Sequence, residues 1–115
     1  MEKMNLSEAQ VFRFVKEGLL LIGFPNNIDI CSYVGDGEKP MYYATYEKEV
    51  NGKVDKHIKP LRVRDFVDLM NFAMSVNGYD IDGIDIRVRD DEICYSARVN
   101  IATYGDGPKM NKRRR

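Results

Sequence analysis

Histidine occurs once in this 115-residue chain, at position 57, and cysteine twice, at positions 31 and 94. So few cysteines exclude a small domain stapled by a disulfide framework and fit a reducing, cytoplasmic setting. A single histidine leaves little for nucleophilic catalysis, and no serine sits in a Gly-x-Ser-x-Gly elbow. Apolar runs are short. The longest, Leu19 to Phe24, spans six residues counting Gly23, whereas a membrane-spanning helix needs about 20. The start, Met1-Glu2-Lys3-Met4-Asn5, lacks the apolar segment and cleavage site of a secretory signal. At 43% apolar and 31% charged residues, the chain is expected to form one soluble domain over 1–108, followed by a basic, disordered tail over 109–115.

Ligand motifs are equally scarce. Strand alternation puts Cys31, His57 and Cys94 on polar faces, where they would form a Cys₂His zinc site with Asp29 or Asp55 if their strands were neighbours. None of the spacings is that of a zinc motif, and half-buried thiols are the expectation. Asp80-Ile81-Asp82-Gly83-Ile84-Asp85 is rich in carboxylates, but its glycine is fourth where a calcium loop of the EF-hand type needs it sixth. Gly35-Asp36-Gly37 lacks the Gly-Lys-Ser/Thr of a phosphate loop and leads into a strand. No catalytic residue, metal or cofactor is therefore predicted.

Charge is balanced overall, 18 basic against 18 acidic, but not locally. Lys109, Lys112, Arg113, Arg114 and Arg115 concentrate positive charge at the C-terminus, leaving an acidic body. Within that body, Lys53, Lys56, Lys59, Arg62 and Arg64 cluster against Asp55 alone, and acids dominate from Asp80 to Glu92. Such segregation governs steering and partner choice; it does not determine the fold.

The local signals predict the order α-β-β-β-α-β-β. Ser7-Glu8-Ala9-Gln10 is a capping box, and Val11, Phe12, Phe14, Val15, Leu19 and Ile22 continue as a helical stripe ended by Gly23 and Pro25. Gly18 inside that helix costs up to ~1 kcal/mol relative to alanine, so packing must compensate. Strands follow over Ile28 to Val34 and Met41 to Val50, and Asn51-Gly52 turns the chain into a third strand that Pro60 stops. A second helix runs from Val63 to Val76, and two strands carry Ile84, Ile86, Val88 and then Ile93, Tyr95, Ala97, Val99, Ile101 on their apolar faces. The fold class expected is α+β, with two helices packed on one face of a mostly antiparallel sheet of four or five strands. Phe12, Val15, Leu19, Phe66, Val67, Met70, Ile84, Ile86, Val99 and Ile101 are the expected core. Gly-Asp-Gly recurs at 35–37 and 105–107, but these elements do not divide into equal halves, so the echo is assigned to turn chemistry.

From Leu61 to Val88, a helix opening after a basic hairpin and leading to an aspartate-rich strand resembles the arrangement of many short bacterial and phage proteins. That likeness carries over no functional residue; a small, single-domain, charge-segregated chain without catalytic motifs also resembles phage accessory or anti-defence proteins in general style, an analogy alone. The leading functional expectation is a non-enzymatic interaction module that binds a protein partner, with Tyr42, Tyr43 and Tyr46 as anchors. Leu20 lies in a helix end that is apolar around most of its circumference and is expected to form a homodimer interface. The alternative is nucleic-acid binding through Lys53, Lys56, Lys59 and Arg62 together with Lys112, Arg113, Arg114 and Arg115. A third class is a small-molecule-binding homo-oligomer whose site forms between subunits.

Overall fold

The computed structural model describes residues 2–100. The chain runs β1 (Glu2–Leu6), α1 (Glu8–Leu21), β2 (Asp29–Gly35), β3 (Lys39–Val50), β4 (Lys53–Leu61), α2 (Val63–Val76), β5 (Ile81–Arg89) and β6 (Glu92–Val99). The class is α+β, as expected. The strands, however, form two antiparallel three-stranded sheets, ordered β1-β6-β5 and β2-β3-β4, rather than one sheet of four or five. The added strand is β1, whose Met4 and Leu6 alone alternate with polar neighbours; it forms because β6 offers it a partner. Pro60 does not stop β4, which runs on to Leu61. As an edge strand bonded only to β3, it can hold a proline whose missing N–H would face away from the ladder. Among the described residues, no helix is long and apolar enough to cross a membrane.

With β1 in place, the order divides into two β-α-β-β units, β1–β3 and β4–β6, which corrects the reading that the halves do not repeat. The first strand of each unit pairs with the last strand of the other. Leu6 lies opposite Tyr95, and Leu61 lies opposite Tyr42. Burial repeats as well: Val11 and Phe66, Val15 and Met70, Gly18 and Ala73, Leu19 and Met74, Ala44 and Ala97 are buried pairwise at equivalent positions. Tyr42 and Tyr95 meet between the units, their hydroxyls hydrogen-bonded at 2.8 Å. The Phe66 ring stacks on Tyr42 with centroids 3.7 Å apart. The second Gly-Asp-Gly, at 105–107, lies outside the described residues.

Local chemistry sets the helix ends. The Ser7 hydroxyl accepts the Gln10 N–H at 3.2 Å, and the Gln10 side-chain oxygen accepts the Ser7 N–H at 2.9 Å. On α2, the Asp65 carboxylate accepts the Arg62 backbone N–H at 3.3 Å and the guanidinium at 3.0 Å. Gly18 is buried where the helices meet: a Cβ there would stand 2.8 Å from the Leu69 carbonyl oxygen. Close approach of the two helices is the compensation for its poor helix propensity. Val15, Leu19, Phe66, Met70 and Val99 are buried as expected, while Phe12, Ile84 and Ile86 pack half-buried around them. Val67 is half-buried, and Ile101 lies outside the described residues.

Candidate interaction surface

Each sheet turns one face to the helices and one away. In β2-β3-β4 the buried Tyr42, Ala44 and Leu61 mark the inner face, so the cross-strand pairs Tyr33–Met41, Cys31–Tyr43–Pro60 and Thr45–Ile58 define the outer one. That outer face is apolar and aromatic. Tyr33 is 53%, Met41 41% and Ile58 70% exposed. The Tyr33 and Tyr43 rings stand 6.3 Å apart, tilted by 57°, and hydrogen bonding to the Cys31 thiol raises the pKa of the Tyr43 hydroxyl. A groove of about 660 Å³ opens at one end, walled by Tyr33, Met41, Tyr43, Pro60 and Val63, with Arg62 as its only charged residue among the described residues.

The outer face of β1-β6-β5 is built on the same register and filled differently. Arg87 stands where β2 has Tyr33, Cys94 where β3 has Met41, and Ser96 where β3 has Tyr43. Lys3 and Asn5 replace Ile58 and Pro60. Arg98 donates to Asp85 at 2.5 Å and lies 3.8 Å from Asp82. The Arg98 hydrogen bond, helped by the charges of Arg87 and Lys3, holds the Asp85 carboxyl below its ordinary pKa. This face is a solvated charge network. The other is apolar and exposed.

The tyrosines expected to share one surface are divided by the pleat. Tyr42 is 3% exposed and belongs to the core, so it cannot anchor a partner. Burial raises its pKa to about 12 and that of Tyr95 further, which keeps both hydroxyls protonated. Tyr46 is half-buried on the helix side, with Phe24 edge-on at 5.4 Å and His57 stacked at 5.1 Å. Tyr43 alone of the three faces outward. Leu20 is half-buried against the core. The apolar helix end is shared: Leu19 is buried, Leu21 and Ile22 are exposed, and Phe24 folds back to donate its N–H to the Leu19 carbonyl at 3.0 Å.

Lys53, Lys56, Lys59 and Arg62 are all exposed but do not converge. Alternation along β4 puts Lys56 beside Ile58 on the outer face and Lys53 and Lys59 on the opposite one, while Arg62 is engaged by Asp65. Lys112 to Arg115 lie outside the described residues. The residues weighed for a zinc site are also separated. Cys31 faces outward and His57 inward, with its Nε2 buried and, among the described residues, without a hydrogen-bond partner, and Cys94 belongs to the other sheet. Among the described residues, no three or more His, Cys, Asp or Glu side chains are grouped to hold a metal ion.

Sequence reasoning missed Tyr33, Met41, Ile58 and Pro60. The signal was available in the period of two: adjacent residues such as Tyr42 and Tyr43 must face opposite ways in a strand, so one of them always stands with Tyr33 or Ile58 outside. Two rings, a thioether, a branched aliphatic and a proline offer mainly contact area from which water can be excluded. Comparisons with protein families, with curated proteins and with solved structures find no match.

Proposed function

We propose that this chain is a non-enzymatic protein-interaction module and that the outer face of β2-β3-β4 is the surface on which it holds its partner. The contrast between equivalent positions carries this reading. Where one sheet spends its outer face on Arg87 and Lys3, the other exposes Tyr33 and Ile58, although the same scaffold tolerates polar residues at each place. Contiguous exposed apolar surface of this kind is rare unless something covers it. Tyrosine and methionine are among the residues enriched in interface cores. Fully burying one side chain such as Ile58 contributes about 1.5–3 kcal/mol.

The test is affinity capture with the wild-type chain, Ile58→Glu and Lys3→Glu, the last placing the same acid at the equivalent position of the other sheet. A stoichiometric partner retained by wild type and Lys3→Glu but lost by Ile58→Glu is the expected result. Equal recovery by all three chains contradicts the proposal.

A further inference from the structure

Building on the reading of this face as a protein-docking surface, we infer that its occupant is a second copy of this chain, stacked face to face about a two-fold axis that runs across the strands. Such an axis lays each strand over its own copy in the reverse direction. The outer face is self-complementary under that operation. Its cross-strand pairs run Asp29–Thr45, Cys31–Tyr43, Tyr33–Met41, Gly35–Lys39. Reversal about the middle of that series sets Tyr43 against Met41 of the second copy and Cys31 against Tyr33 of the second copy. The Asp29 end meets the Lys39 end. Apolar groups therefore meet apolar groups at the centre; at each margin Asp29 stands over Gly35 of the second copy and Thr45 over its Lys39, so acid and base lie diagonally, one strand apart.

Asp29 and Lys39 are free for this role. Both are exposed, and among the described residues neither has an ion-pair partner in its own chain. The charges beyond the overlap are mixed: Asp36 and Glu38 in the turn before Lys39, Glu47 and Lys56 past Asp29. They add neither a consistent attraction nor a consistent repulsion. Sheets stacked in this way lie about 10 Å apart, and aligned packing keeps strand directions within about 30° of each other. Both are compatible with rings and methyl groups interdigitating. Two-fold homodimers are also the commonest closed assembly. The competing surface is the helix-side groove between Ile22, Leu69 and Phe72, where Asp65, Asp68, Lys59 and Arg62 crowd one wall.

Sedimentation equilibrium across the micromolar range tests the inference, with circular dichroism to confirm that each variant is folded. The wild-type chain of 13.3 kDa is expected to associate to twice that mass, and Tyr33→Glu, which puts a charge into the apolar centre of the stack, to remain a monomer. Asp29→Lys and Lys39→Asp should each weaken association by about tenfold or more, since like charges then crowd the same margin diagonally across the interface. The double variant Asp29→Lys/Lys39→Asp should recover most of it. Three results overturn the inference. A dimer that Phe72→Glu breaks and Tyr33→Glu does not belongs to the helices. A dimer broken by Tyr33→Glu but indifferent to charge reversal is packed in another orientation. A wild-type monomer at every concentration excludes the second copy as occupant; capture of a different protein that Ile58→Glu abolishes would then keep the docking reading, and its absence would remove both.

Discussion

The two β-α-β-β units share their strand pairing, the burial of equivalent helix positions and a tyrosine at the same place, yet the two sheets they build together differ on their outer faces. Inside, equivalence is close, because both units contribute to one core and one pair of crossing helices. Outside, Tyr33, Met41, Tyr43 and Ile58 answer to Arg87, Cys94, Ser96 and Lys3. The comparison separates two demands on the same scaffold. What both sheets keep is needed to fold, and what only one sheet has is available for another purpose.

The largest expected effect breaks the inner equivalence. Phe66 and Val11 occupy matching buried positions, but Phe66 also stacks on Tyr42. Phe66→Ala should cost on the order of 3–5 kcal/mol, and Val11→Ala clearly less. Urea titration of both variants checks the order, and equal losses would mean that the Tyr42–Phe66 stack contributes little. Next comes the tyrosine pair. Tyr42→Phe strands the Tyr95 hydroxyl in the core and should cost about 1–3 kcal/mol, whereas Tyr42→Phe/Tyr95→Phe removes both partners and should recover most of that loss. A double variant as unstable as the sum of the singles would contradict the pairing. Gly18→Ala should also destabilise, by about 1–3 kcal/mol, despite alanine's better helix propensity, because its methyl group meets the Leu69 carbonyl. A raised melting temperature would show that the helices are free to separate.

Alkaline pH sharpens the same comparison more gently. Burial raises the pKa of Tyr42 from 10 to about 12 and raises that of Tyr95 as well. Below pH 10, folded and unfolded chains both keep these protons and the stability is present in full. Above pH 10 the unfolded chain loses them first, so stability should fall from pH 10 upward through about 12. Replacing both tyrosines by phenylalanine should flatten that fall, and thermal melts between pH 8 and 11 would show it.

Local signals were legible in the sequence and long-range pairing was not. The Ser7–Gln10 capping box, the extent of α2 and the Asn51-Gly52 turn follow from spacings of a few residues, and each is present. β1 was invisible because five residues with two apolar side chains become a strand only when β6 lies alongside. Without β1, neither the division into two sheets nor the repeat could be seen. The interaction surface was half-legible. A tyrosine-rich hairpin pointed to β3, but the alternation that sends Tyr42 inward and Tyr43 outward was not carried across to β2 and β4, where Tyr33 and Ile58 complete the face.

The central claim is that the outer face of β2-β3-β4 serves association and not folding. Replacing its residues by their counterparts from the other sheet, in the triple variant Tyr33→Arg/Tyr43→Ser/Ile58→Lys, tests this directly. Thermal unfolding and the mass in solution are measured together with capture of any partner. The account predicts a folded chain that melts within a few degrees of wild type and no longer associates with itself or with another protein. A variant that fails to fold, or one that associates as the wild type does, would contradict it.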